Sequence, residues 1–362
     1  MTSEEAEAWL ALNGSGLSAE KQRLLVESRG SALATLAGGE EVRELPGITP
    51  MHLERLEAAR RRTDLSELRS RCVEHGVQLI SYRDPEYPTL LGKVEDGPPL
   101  LFVQGDLARD DQMAVAIVGT RTASPYGLKA ARRLAGDLAR RGFTIVSGMA
   151  LGIDAEAHRG ALEAGGRTIA VMGTGADITY PPQHRELRQE IAQSGAVMTE
   201  LAFGTGATRY AFPARNRIIA GLSLGTIVVE APRESGALIT AGLAAEQGRD
   251  VFAVPGSIDS PLSSGCHQLL KEGAHLVEVA EDVVEGLGIM LQTVPTRDKR
   301  PQVDLSGDEQ TVYDALGPQP LRVDQLAEAT GLGTPTVSAA LMLLEVKGLA
   351  RRFAGGTYLR IQ

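Results

Sequence analysis

Through the middle of the chain, short apolar runs rich in β-branched residues alternate with longer stretches of helical periodicity. Residues 115–118, 144–146, 168–172, 196–199, 226–229, 251–254 and 275–277 read as strands. Residues 125–141, 154–164, 184–194, 213–221, 236–247 and 265–272 fill the intervals as helices. Strands this uniformly apolar are buried on both faces, and strands alternating with helices give a doubly wound, mostly parallel α/β sheet covered on both sides. Ser124 before Pro125 marks a helix start, because serine caps the first turn and proline loses no intrahelical bond there. The loops leaving the strand ends are glycine-rich: Gly119-Thr120-Arg121, Ser147-Gly148-Met149 on to Gly152, and Gly173-Thr174-Gly175. Ligands bind along that edge of an open α/β sheet.

The pattern changes on either side. Residues 1–110 begin with helical periodicity and contain Leu45-Pro46-Gly47-Ile48-Thr49-Pro50-Met51-His52-Leu53. That segment is similar to the hairpin of a helix-hairpin-helix or SAM-like module, although the region is net acidic and also reads as a helical packing module. A proline-rich extended connector follows over 84–103, then the central domain over 111–290 and a polar linker over 291–306. In 307–362, residues 308–316, 323–330 and 334–348 read as three helices. Residues 349–359 read as a hairpin turning at Gly355-Gly356, which completes a winged helix. The third helix carries no arginine or lysine before Lys347. A groove-reading helix presents such groups, so protein contact is expected here rather than DNA reading.

At 362 residues the chain is long enough for two or three domains, and 43% hydrophobic with 23% charged residues is ordinary globular composition. No apolar run approaches the ~18 residues of a membrane span. The first residues, Met1-Thr2-Ser3-Glu4-Glu5, are acidic, the wrong sign for a targeting peptide. Cys72 and Cys266 form no metal or redox motif, and the histidines show no ligand spacing. A cytoplasmic protein with no disulfide framework, no metal and no cofactor is expected. His158 stands one helical turn after Asp154, where a structural hydrogen bond is expected before catalysis.

Net charge −9 gives no general attraction for polyanions, and none of the three domains has a basic excess. Yet between Leu201 and Val229 there are three arginines, Arg209, Arg215 and Arg217, and no acid. Within this island lies Phe212-Pro213-Ala214-Arg215-Asn216-Arg217. Arginine forks bind phosphate oxygens, asparagine adds a donor, and an aromatic ring offers a face to a base. An exposed basic turn would look the same. The first glycine loop tips the balance: Arg121 follows Gly119 at a strand–helix junction, where backbone N–H groups and the helix dipole favour an anion.

The order of motifs over residues 100–280 resembles the DprA/Smf family, the DNA-processing proteins of bacterial transformation. It rests on Ala116-Ile117-Val118-Gly119-Thr120-Arg121, on Ser147-Gly148 through Asp154 with His158, on Gly173 through Asp177, and on Tyr180-Pro181. Phe212 through Ser223, Ser235 through Thr240, and Ala253-Val254-Pro255-Gly256 complete the series. The resemblance implies an extended Rossmann-like fold with optional SAM-like and winged-helix domains. It implies single-stranded DNA binding without catalysis, homodimerisation through the central domain, and loading of RecA. The DNA pocket it implies consists of Arg121, Arg209, Phe212, Arg215, Asn216 and Arg217, with Gly119, Thr120, Ser147 and Gly148 in the adjoining loops. Thr120 stands where serine is usual and Arg209 where lysine is more frequent. His184 replaces an expected asparagine, with no role assigned.

Two enzymatic readings compete. A nucleotide-processing enzyme of the lysine-decarboxylase-like group would need Pro-Gly-Gly-x-Gly-Thr-x-x-Glu, but the comparable loop is Pro232-Arg233-Glu234-Ser235-Gly236-Ala237-Leu238-Ile239-Thr240. A dinucleotide-dependent oxidoreductase would need two further glycines after Gly119, where Arg121 stands instead. There is no Walker A sequence.

Overall fold

A computed structural model describes residues 1–38, 42, 45–62, 64–288, 305–316, 321–347, 349–353 and 357–360. The chain divides into two units, Met1–Val294 and Pro295–Gln362.

The first unit is organised by strand β3 (Ala114–Val118), whose five residues are all buried. Successive side chains of a strand point to opposite faces. Val115 and Ile117 therefore pack on one side, in a core shared with α7 (Pro125–Arg140) and α8 (Ile153–Glu163). Ala116 and Val118 pack on the other, with α10 (Ala211–Gly221) and α11 (Gly236–Glu246). Helix α7 buries Ala130, Ala131, Leu134, Ala135 and Leu138, a stripe at helical spacing. It begins as the sequence implies: the Gly127 N–H donates to the Ser124 hydroxyl, and Pro125 occupies the first turn.

Parallel neighbours flank β3: β4 (Thr144–Ser147) on one side and β7 (Gly225–Val228) on the other. Beyond β4 come β5 (Thr168–Val171) and β6 (Ala196–Thr199); beyond β7 come β8 (Asp250–Ala253) and β9 (His275–Leu276). Helices α9 (Arg185–Ser194) and α12 (Ser264–Lys271) complete the central crossovers, and α13 (Ala280–Gly286) follows β9. The boundaries lie within about two residues of the sequence reading.

The sheet extends further than the periodicity suggests. β1 (Val77–Ser81) and β2 (Leu100–Gly105) join it antiparallel, with β2 paired to β6. The sequence reading placed these residues in the first region and its connector. Strand pairing is non-local, and the partner of β2 lies about a hundred residues away, so local pattern does not reveal it. Helices α1 (Ser3–Asn13), α2 (Ala19–Arg29), α3 (Ala32–Ala37), α4 (Pro50–Arg60) and α5 (Leu65–Glu74) precede β1, and the short α6 (Thr89–Gly92) links β1 to β2. Trp9, Leu12 and Leu25 share one core with Phe102 of β2 and Phe203, so this helical module is built onto the sheet.

The second unit holds α14 (Gly307–Ala315), β10 (Leu321–Arg322), α15 (Val323–Thr330), α16 (Thr334–Val346), β11 (Ala350–Phe353) and β12 (Thr357–Arg360). Its sheet is antiparallel in the order β10-β12-β11, over a core of Val312, Leu326, Val337, Leu341 and Leu344. This is a winged helix. The expected turn at Gly355-Gly356 and most of the expected linker lie outside the described residues. Lys347 is paired with Glu309 at 2.8 Å, while Met342 and Leu343 of α16 are exposed.

Candidate nucleic-acid interface

From β3 the strand order runs one way through β4, β5 and β6, and the other way through β7, β8 and β9. The loops after β3 and β7 therefore part, and a crevice opens at their C-terminal ends. At Gly119 a β-carbon would stand 2.5 Å from Ile153 Cγ1 and 2.9 Å from the Glu230 carbonyl oxygen, so only glycine passes between α8 and the end of β7. The Thr120 N–H then donates to that carbonyl at 2.7 Å, tying the two loops together.

The carboxylate of Glu230 has a second task. It accepts from the Ser124 hydroxyl at 2.6 Å and from the Ser124 N–H at 2.9 Å. The positive end of α7, expected to face a ligand, is thus occupied by a buried carboxylate of the chain itself. The first turn of α11 does line the crevice, through Ser235, Gly236 and Ala237, as does that of α10 through Phe212 and Pro213. Neither first turn carries an acidic residue.

Arg121 is exposed and lies over the ring of Phe212, 5.1 Å from its centroid. Phe212 meets Tyr180 with ring centroids 5.3 Å apart, tilted by 40°. Arg209, also exposed, lies 4.6 Å over the Tyr210 ring and bonds the Tyr210 hydroxyl. Arg121, Arg209, Phe212 and Tyr180, with Gly119, Thr120 and Asn216, surround a cleft of about 670 Å³.

Arg215 reaches the cleft only at its floor and is buried. Its Nη1 donates to the carbonyls of Gly148, at 2.8 Å, and Val171, and its Nε to Asn216 Oδ1 at 3.3 Å. Burial brings this guanidinium down to about 10, while Asp154 resists the shift. Burial likewise pushes the Asp154 carboxyl above the usual carboxylate range, against the pull of Arg215. Asp154 accepts from the N–H groups of Gly148 at 3.2 Å and Ala150 at 3.3 Å. His184, left without a role by the sequence, donates from Nδ1 to the Met149 carbonyl at 2.9 Å. Three buried side chains thus hold the loop after β4, whose Met149 is left-handed at φ 56°.

The structure does not bring every sequence-predicted residue to the cleft. Ser147 is buried and donates to the Ile117 carbonyl at 2.6 Å. Gly148 is buried against Arg215. Arg217 leaves the cleft altogether: its fork binds Glu200 at 3.0 and 2.6 Å, and its Nε stands 3.2 Å from Asp96. An island without acids in sequence is partly neutralised in space. Tyr180, of the Tyr180-Pro181 motif, lines the cleft as well, a place the sequence does not reveal. His158 is structural, though its partner is not Asp154, one helical turn before it. Its Nδ1 lies 2.7 Å from the Thr168 hydroxyl, which donates to the Ile145 carbonyl, so the imidazole is the donor. Burial, with His184 and Arg215 nearby, pushes it down to about 3.

No group of three or more histidine, cysteine or acidic side chains is arranged to hold a metal ion among the described residues. No described helix is long and apolar enough to cross a membrane. What the cleft offers is exposed guanidinium, aromatic faces and backbone donors, a set suited to phosphate and base together.

Residues 78–288 match the DNA recombination-mediator protein A family, and residues 296–356 match the DprA winged helix domain. The Smf protein of Synechocystis is 38% identical over 318 residues, covering 78% of this chain and 80% of its own. The crystal structure of DNA processing protein A from Streptococcus pneumoniae superposes with TM-score 0.66 at 37% identity, covering 79% of this chain and 98% of its own. That of DNA processing protein A from Helicobacter pylori, determined for its single-stranded DNA binding mode, superposes with TM-score 0.53 at 31% identity. It covers 59% of this chain and 97% of its own.

Proposed function

The chain belongs to the DNA recombination-mediator protein A family, and from that premise we propose that its switch-point cleft binds single-stranded DNA without catalysis. The observation that carries this reading is Arg121 held over Phe212, with Phe212 in tilted contact with Tyr180. A guanidinium held over an aromatic ring places a phosphate ligand and a base platform side by side. In this reading Arg121 and Arg209 contact phosphates, Phe212 and Tyr180 stack on bases, and Thr120, Asn216 and the first turn of α11 supply further donors. The cleft is bounded by loops on both sides, and it admits a flexible strand but not a rigid duplex.

The wider role we assign is that of a cytoplasmic recombination mediator. The protein protects incoming single strands during transformation and loads RecA onto them, acting as a homodimer through the central domain. The resemblance and the relatives support this assignment.

Fluorescence anisotropy with labelled oligo-dT tests the binding, with blunt duplex of the same length as competitor. Three to five neutralised phosphates give a log–log salt slope of roughly −2 to −3.5. Equal affinity for duplex and single strand refutes the reading.

A further inference from the structure

A second cavity, of about 500 Å³, lies behind the segment carrying Tyr180. Ile178, Thr179 and Pro182 line it, while Tyr180 of the same segment lines the first cleft. The two hollows are therefore separated by a ridge only a few residues wide, with an exposed aromatic on it. Arg185 and Arg188, one helical turn apart on α9, also line this cavity.

Arg188 is buried at 7% exposure and has no carboxylate within ion-pair distance among the described residues. Its acceptors are neutral: Gln104 Oε1 at 3.1 Å, Thr179 Oγ1 at 3.3 Å, and the Ala176 carbonyl. Burial lowers its proton affinity and Asp177 restores it only in part. Asp177 also lines the cavity, but Arg71 pairs with it at 2.9 Å and the Gly204 N–H donates to it at 2.9 Å. Arg185 is exposed, and neither Glu186 nor Glu190 lines the cavity. Two guanidinium charges are thus left without an acidic partner of their own in a hollow next to the first cleft. A buried, unpaired guanidinium is costly, and an anion bound there offsets that cost.

We propose that this cavity is a second phosphate subsite on the same single strand. The strand leaves the Arg121–Phe212 cleft, crosses Tyr180, and sets its backbone against Arg185 and Arg188. The inference rests on the reading of the first cleft as a single-strand site. It predicts that affinity grows with strand length across the ridge, because a very short oligonucleotide fills only the first cleft.

The test compares oligo-dT of about 4 and about 20 nucleotides, within the range of site sizes known for single-strand binders. Arg185→Glu, an exposed change, is measured beside Arg188→Gln, with thermal melting as the folding control. Either substitution is expected to weaken the long strand about three- to tenfold and leave the short one unchanged. Each phosphate lost lowers the salt slope by about 0.7. Equal losses on both lengths, or no loss on either, overturn the proposal. Failure of the unaltered protein to bind any oligo-dT removes both readings; normal binding with an unaffected Arg185→Glu removes only this one.

Discussion

Arg215 and Gly148 share one space: the guanidinium donates to the Gly148 carbonyl at 2.8 Å and fills the volume a β-carbon at position 148 would need. The arginine at the centre of the basic motif is therefore a strut. It holds the loop after β4 against β5.

Arg215→Ala is expected to destabilise the protein by about 1–3 kcal/mol, because it leaves the buried Gly148 and Val171 carbonyls without their donor. Urea unfolding measures this. A stability change below about 1 kcal/mol would show that the strut carries no weight.

Arg121→Ala is expected to weaken oligo-dT binding by about 1.5–3 kcal/mol, or roughly 10–150-fold, through loss of a charge-assisted phosphate contact. Its melting temperature should stay within about 1 °C, since the side chain is exposed. Arg217→Ala is expected to show the reverse, nearly unchanged binding with reduced stability, because its fork is spent on Glu200. Anisotropy and melting on the same two variants separate ligand from scaffold.

Phe212→Ala should lose about 1–3 kcal/mol of binding with the stacking face, whereas Phe212→Tyr should keep most of it. If the two variants bind alike, the ring is not a base platform.

His158 makes stability depend on pH. Its imidazole is neutral when folded, being held down to about 3, whereas the unfolded residue takes up a proton near 6.5. The unfolded state binds more protons between those values, so stability is full above 6.5 and falls as the pH drops through this window. From pH 7 to 5 the loss from this one group is about 2 kcal/mol. Urea unfolding of His158→Gln at both pH values should show a correspondingly smaller drop; an unchanged drop would assign it to other groups.

Deleting residues 301–362 should leave binding to short oligo-dT within about tenfold. The proposed contacts lie in the first unit, and Lys347, just after α16, is already engaged by Glu309. A gel-shift comparison with the full chain decides the matter. A larger loss, beyond the ~1.4 kcal/mol that weak avidity supplies, would make the winged helix a primary DNA site.

The sequence by itself determined the elements of the central domain and the location of its ligand edge. Uniformly apolar runs alternating with helical stretches, such as 115–118, read as buried strands, and glycine followed by Arg121 after such a run points to the loop there as a candidate anion site. The ordered motifs named the family. The tertiary structure decided which cations are available. Arg209, Arg215 and Arg217 look equivalent along the chain, yet one is exposed, one is buried against the Gly148 and Val171 carbonyls, and one is clamped by Glu200 and Asp96. It also placed Glu230 on the N-terminus of α7, leaving other helix N-termini on the cleft, and it joined β1 and β2 to the sheet. The reason is common to all of these. Charge pairing and strand pairing are contacts between residues distant in sequence, and a local pattern carries the type of a residue but not the identity of its neighbour.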